Sequence, residues 1–353
     1  MFNRYLNLLL ATSLLLIACA GLSAQANDEG IDYCAIVAES DCLILEASEE
    51  AMWHVNSFAV TFAVAGETNY AKTAGGSEQE TLDIHGSAQM AFDAEAAADW
   101  SAINLDTPQA ERVDIFDRIL TSIVGSLSMT IMETSSEGTS ETSINALMDS
   151  GVYVVDAATL ESLTGEPMDG VEWLGVDITG AMETIMEIPD IAANIDITPM
   201  PSGADMEGIE SVVTITRLPD GVVNGVDVAV FDYQFDVPAF FELPSVSEMM
   251  MQLSDEDALT FALLTTMMSD VFDNMQMSIR TFVGLEDSYT HRAIVDFAIA
   301  VDGESMGYAD SGVASSQFTI DLVISEHNQP VEVEMPEDAF ILPLSMLLQM
   351  GSQ

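Results

Sequence analysis

The side chains of this 353-residue chain with chemistry to offer are 59 carboxylates, four histidines and three cysteines. Paired carboxylates can cleave a glycosidic bond as acid and base. With 59 Asp plus Glu against 7 Lys plus Arg, however, abundance alone brings many pairs together, and sequence selects none of them. His54, His85, His291 and His327 are scattered, none with a second ligand at the close spacing a zinc site uses. No G-x-S-x-G elbow, Gly-rich phosphate loop or D-x-[DN]-x-[DN]-G calcium loop occurs. Asp255, Glu256 and Asp257 suit the first turn of a helix, where the dipole favours carboxylates. The expectation is a protein without catalytic residues, metal or cofactor.

The cysteines divide into one and two. Met1 to Arg4 carries one positive charge, and Leu6 to Ala18 is an apolar run too short to span a bilayer as a mature helix, which fits a signal peptide over 1–18. Leu16-Ile17-Ala18-Cys19 has the form of a bacterial lipobox, in which the Cys19 thiol is acylated and becomes the new N-terminus. Ala24-Gln25-Ala26 fits the small-x-small rule of ordinary signal peptidase, so a lipid-anchored and a soluble exported form both stand. In an oxidising compartment Cys34 and Cys42 make an even pair, and a disulfide is expected. Its short loop supplies roughly 2–3 kcal/mol in the chain-entropy model.

The formal charge of −52 repels phosphate backbones and anionic headgroups, which excludes nucleic acid as a partner. Its simplest meaning is a solvated surface. The 49% hydrophobic content is that of a globular chain.

These residues need elements to hold them. Residues 19–42 are expected to form an acidic tether, and Leu43 to His54 has helical character. From there the period is two: Phe58, Val60, Phe62 and Val64 alternate with Ser57, Ala59, Thr61 and Ala63, and Leu82, Ile84, Gly86, Ala88, Met90 and Phe92 are set against Asp83, His85, Ser87 and Gln89. Gly75-Gly76 between the runs marks a hairpin. Pro108 to Gly125 has helical spacing, followed by strands over 126–134, 142–148, 151–155 and 171–178 and a short helix over 181–187. The second half repeats the pattern with strands over 211–218 and 226–237 about the turns Pro219-Asp220-Gly221 and Asn224-Gly225. Ser245 to Met275 returns to helical spacing. Strands over 277–283, 291–301, 315–324 and 331–335 close the chain. Strands in consecutive runs predict an antiparallel sheet of the α+β class, with a single domain over 43–345 and a division near Pro199 to Gly208 as the alternative.

Beyond a core, the sequence offers apolar surface for a ligand. Of 22 methionines, Met249, Met250, Met251, Met267, Met268, Met275 and Met277 lie in one region, with Leu263 and Val271 on the same helical stripe. Thioether side chains adapt to ligands of varied shape, although such a stripe also suits ordinary core. Phe58, Phe62, Met90, Phe92, Tyr233, Phe235, Phe297, Phe318 and Ile320, on alternating strands, are candidates to line the same cavity, and plain sheet-to-helix packing also accounts for them. Arg280 and Arg292 are expected to pair with nearby carboxylates.

The segments "SFAVTFAVAG", "DSGVYVVDAATLESLTGEPMDGVEWLGVDI", "VNGVDVAVFDYQFDV", "HRAIVDFAIAVDG" and "EHNQPVEVEMPEDA" give the chain, over about Leu43 to Leu342, a pattern that resembles the LppX/LprG-type bacterial lipoproteins and, more remotely, the LolA/LolB carriers. The resemblance implies a half-open, strongly curved antiparallel sheet wrapped around a few helices and enclosing an apolar cavity for lipid acyl chains. It implies no catalytic residues. Glu95 to Glu141 has no counterpart in that pattern. On these grounds the partners expected are a lipid or other hydrophobic molecule and, through Cys19, the membrane. The alternative is a cell-envelope interaction protein of the same fold with a filled core.

Overall fold

Alternating residues with one bulky face pair edge to edge, and in the computed structural model they do so as one open, curved sheet of 12 strands. The structure describes residues 32–71, 77–101, 107–136, 138–164, 167–168, 170–180, 208–244, 246, 273–302, 313–344 and 346. The first six strands are β1 (Ser57–Ala71), β2 (Ser77–Ala91), β3 (Val124–Ser135), β4 (Gly138–Asp149), β5 (Val152–Asp156) and β6 (Trp173–Asp177). The others are β7 (Val213–Val223), β8 (Val226–Phe235), β9 (Met275–Gly284), β10 (Thr290–Asp302), β11 (Val313–Ser325) and β12 (Phe340–Pro343). Their spatial order is β12-β6-β5-β4-β3-β2-β1-β11-β10-β9-β8-β7. Two meanders, β1 to β6 and β7 to β11, meet where β1 pairs antiparallel with β11. The α+β class and the curved, mainly antiparallel sheet with few helices agree with the expectation from sequence.

The helices among the described residues are α1 (Tyr33–Ile36), α2 (Glu39–Trp53), α3 (Ala94–Ser101), α4 (Gln109–Ser122), α5 (Ala157–Thr164) and α6 (Val237–Glu242). α2 begins at Glu39, inside the stretch expected to be a tether, because the disulfide between Cys34 and Cys42 ties α1 to its first turn. Glu46 Oε1 lies 3.4 Å from Cys42 Sγ. Since a disulfide sulfur has no proton to donate and its thiolate character is spent, this group of two cysteines and a glutamate is a crosslink beside a carboxylate, not a metal site.

Three local expectations need correction. Val331–Met335 forms no strand; the last strand among the described residues is β12, and it runs parallel to β6. Pro219-Asp220-Gly221 is not a turn but lies within β7, where the register with β8 shifts between Leu218 and Gly221. β7 is an edge strand, the position in a sheet where a proline without N–H and a bulge are tolerated. The reversal is left to Asn224 (φ 51°) and Gly225 (φ 87°), whose paired positive φ matches the right-handed twist of a hairpin. Met275, assigned by spacing to the preceding helix, is the first residue of β9.

Successive residues point to opposite faces of a strand, so the registers sort the whole sheet into two faces. On one, Val60, Phe62, Val64, Leu82, Ile84, Met129, Ile131, Ile320, Leu322 and Ile324 form the central core. A second core joins Val213, Ile215, Ala229, Phe231 and Val283 to Leu45 of α2 and to Leu243 and Val246 just past α6. Fully burying each Val, Leu, Ile or Phe is worth about 1.5–3 kcal/mol, so this face carries most of the stability. The opposite face is polar along β1, β2, β10 and β11, where Asp321 accepts from Arg292 (2.6 and 2.8 Å), and between β8 and β9 Asp232 accepts from Arg280 (3.1 Å). Both arginines therefore pair with carboxylates, as expected.

Candidate functional site

The registers align the apolar face into cross-strand rows. Gly66, Phe318, Phe297, Met277, Phe235 and Val213 stand opposite one another from β1 through β11, β10, β9 and β8 to β7. The next row is Val64, Ile320, Val295, Ile279, Tyr233 and Ile215, and the one after it starts Phe62, Leu322, Ala293. Toward β4, Phe62 continues through Gly86 and Met129 to Ile144. Of the candidate cavity residues, Phe58, Phe62, Met90, Tyr233, Phe235, Met275, Phe297, Phe318 and Ile320 share this one face of one sheet. Phe92 lies just beyond β2, its backbone N–H donating to the Asn56 carbonyl. Leu263, Met267, Met268, Val271 and Cys19 lie outside the described residues.

Burial is graded across the rows. Phe62, Val64, Ile320 and Leu322 are 4%, 4%, 2% and 0% exposed. Phe318, Phe297, Met277 and Phe235 are only half-buried. Two glycines set the height of the floor. A Cβ on Gly66 would come within 2.6 Å of Phe318 Cε1, and one on Gly86 within 2.8 Å of Phe62 Cζ. Each ring thus leans over the neighbouring strand's glycine and lies along the sheet instead of standing off it. A larger residue at Gly66 would push the Phe318 ring upright, and one at Gly86 would meet the Ser128 backbone carbonyl before the Phe62 ring.

The β7–β9 end of this face carries ionisable groups that sequence reasoning did not single out. Burial pushes the Tyr233 phenol up to about 12, and the Glu49 charge adds to the shift against a lowering hydrogen bond with Thr281. The Tyr33 phenol is raised further, chiefly by burial and then by Tyr233 and Glu49. Glu49 itself is raised by burial and by the charge of Glu46. No motif announces this cluster, because α1, α2 and β8 contribute one residue each.

A second cluster joins two of the scattered histidines. His291 is the second residue of β10 and His327 follows β11, and the antiparallel pairing brings those ends together. The imidazoles meet edge to face at 5.3 Å, and His327 stacks on Tyr289 at 4.5 Å. His291 Nε2 lies 3.0 Å from Asp287 Oδ2. The His327 pKa is held down by burial first and by His291 second, against opposing contributions from the Thr290 backbone and Asp287.

Among the solved structures, LppX from Mycobacterium tuberculosis is similar at 10% identity, covering 83% of this chain and 97% of that one, with a TM-score of 0.26. LprF from Mycobacterium bovis is similar at 10% identity, with 85% and 98% covered and a TM-score of 0.32. A LolA superfamily protein from Nitrosomonas europaea gives 10% identity, 82% and 94%, and a TM-score of 0.16. No function passes across likenesses of this size. The fold stands on its strand order and registers, which are those of an open curved sheet with few helices, as the resemblance to LppX-type and LolA-type proteins implied. No family model and no curated protein matches the chain. Among the described residues no helix is long and apolar enough to cross a membrane.

Proposed function

We propose that the chain binds an apolar molecule, in the first instance the hydrocarbon tails of a lipid, against the apolar face of its sheet, and that it works outside the cytoplasm as a protein tethered through acylated Cys19. The observation that carries this reading is the row Phe318, Phe297, Met277 and Phe235, four large apolar side chains in direct cross-strand register and only half-buried. A soluble protein ordinarily buries such a band or uses it. Rings lying over Gly66 and Gly86 favour a smooth floor, which suits a flexible chain better than a rigid, directional ligand. The driving force is removal of methylenes from water, about 0.8 kcal/mol each, so a long acyl chain needs no polar anchor to bind. Nothing in this mechanism calls for a covalent step, and no catalytic role is assigned to any residue.

A second reading is a non-catalytic cell-envelope interaction protein of the same fold with a filled core. It is favoured by the central rows, where Phe62, Val64, Ile320 and Leu322 are almost wholly buried. Purified protein extracted with organic solvent and analysed by mass spectrometry separates the two. Binding predicts a co-purifying lipid, or saturable uptake of a fluorescent fatty acid by the extracted protein. An empty extract together with no uptake would sink the proposal and leave the filled core.

A further inference from the structure

The face of β2 to β6 that lies opposite the apolar rows holds a cavity of about 370 Å³ that the apolar reading does not use, lined by serines, Asn145, Asp156 and Trp173 together with Leu127, Ala146 and Leu147. We infer that it is a binding site for a neutral saccharide, built on one row of side chains in cross-strand succession: Ser87, Ser128, Asn145, Asp156 and Trp173.

The row follows from the registers. Ser87 of β2 stands opposite Ser128 of β3, and Ser128 opposite Asn145 of β4. Asn145 Nδ2 donates to Asp156 Oδ2 at 2.6 Å, and Asp156 of β5 stands opposite Trp173 of β6. With neighbouring strands about 4.8 Å apart, five strands span roughly 19 Å, room for two or three sugar rings laid across the sheet.

The inner members are fixed before any ligand arrives. Ser128 Oγ donates to Asn145 Oδ1 at 2.8 Å, and Asp156 Oδ1 accepts from the Thr159 backbone N–H at 2.6 Å. The Thr159 hydroxyl accepts from the Asn145 backbone N–H and donates to the Ser143 carbonyl, each at 3.1 Å, so α5 locks β4. These bonds leave, among the described residues, the Ser87 hydroxyl, the second N–H of Asn145 and the Trp173 indole N–H without a protein partner. A hydroxyl both donates and accepts, and a side-chain amide offers the same pair in fixed geometry, which is what a ligand made of hydroxyl groups requires. The half-buried indole offers a flat apolar plate to the C–H face of a pyranose and a polar edge beside it.

Charge narrows the class. No lining side chain is cationic, the one ionisable member is the carboxylate of Asp156, and the chain carries a formal charge of −52. Phosphorylated, sulfated or uronic sugars are repelled, and a neutral saccharide is admitted. A free oligosaccharide and the neutral glycan of a glycolipid share this chemistry.

The test titrates the full-length protein, by calorimetry and tryptophan fluorescence, with maltotriose, cellotriose and chitotriose, and separately with an anionic sialylated trisaccharide. At least one neutral probe is expected to bind, with the anionic one at least about 10-fold weaker, a difference of about 1.4 kcal/mol. Ser87→Leu changes an exposed strand position away from the apolar core, fills the groove and should weaken binding by about 10-fold or more. Trp173→Phe keeps a ring and should retain most of the affinity that Trp173→Ala loses. A glycolipid that binds no better than its free glycan places the recognition in the sugar alone, whereas a gain confined to the intact glycolipid that Ser87→Leu leaves untouched overturns the site. Silence with all three neutral probes up to about 10 mM, equal binding of the anionic one, or binding indifferent to both Ser87→Leu and Trp173→Ala also refutes it. Fatty-acid uptake by Ser87→Leu should match the parent, so this site and the apolar face fail separately.

Discussion

Leu322→Ala and Thr319→Val test the sorting of the sheet into two faces, because the two residues share β11 and point opposite ways. Leu322 is fully buried, flanked by Phe62 on β1 and Ala293 on β10. Both neighbours sit in central strands paired on each side, so the walls cannot close over the space a truncated leucine leaves. Large-to-small core changes cost about 2–5 kcal/mol according to how far the site collapses, and a site held in ladders belongs well above the lower limit, about 3–4 kcal/mol. Thr319 is exposed and donates to Asp296 at 2.6 Å. Valine keeps its β-branched shape, so the cost should stay within about 0.5 kcal/mol. Urea unfolding followed by circular dichroism and tryptophan fluorescence gives both numbers, provided the two transitions coincide. At roughly 2 °C per kcal/mol for a chain of this size, Leu322→Ala should also lower Tm by about 6–8 °C. Similar costs for the two variants, or less than about 1 kcal/mol for Leu322→Ala, would refute the face assignment and the rows built on it.

Glu49, its pKa raised by burial, favours the fold while protonated and loses that contribution as pH rises through its folded value. Glu49→Gln should therefore be more stable than the parent at pH 7.5, the difference shrinking toward pH 4, read as urea midpoints. His327 has the opposite sign. Its lowered pKa means that the unfolded chain binds the proton first as pH falls below the ordinary 6.5, so its contribution is present above that value and is lost on acidification. Between pH 7.5 and 5 the parent should lose more stability than His327→Gln; equal losses would show that burial and His291 do not outweigh the Thr290 backbone and Asp287, which favour the protonated ring. Cys19→Ala should move the protein from the detergent phase to the aqueous phase of a phase-separation assay, and identical partitioning would rule out the acyl anchor.

The faces of the sheet were legible in sequence because alternation of period two specifies which residues share a side. Phe58, Phe62, Tyr233, Phe297 and Phe318 could be grouped before their strands had neighbours. Alternation does not say which strand lies beside which. The parallel return of β12 to β6 leaves no trace in the five residues before Pro336, and a strand was expected there instead. Pro219-Asp220-Gly221 has turn chemistry, but an edge strand absorbs the same residues as a bulge, so composition marked two turns where the chain reverses only at the second, Asn224-Gly225. The histidine pair was invisible because 35 residues of hairpin separate His291 from His327. The saccharide row was invisible for a related reason: five strands each contribute one ordinary polar or aromatic residue, and only the register makes them a line.

The seam between the two meanders has a consequence for how the molecule is made. Ala59 lies opposite Ser325, so the middle of the finished sheet depends on a segment synthesised long after β1. Until that segment emerges, the first meander presents β1 as a long, apolar, open margin, a template for intermolecular pairing. Closing so distant a contact is slow. Maturation should therefore wait for β11, and chains interrupted before residue 313 should need a holding chaperone to stay out of aggregates.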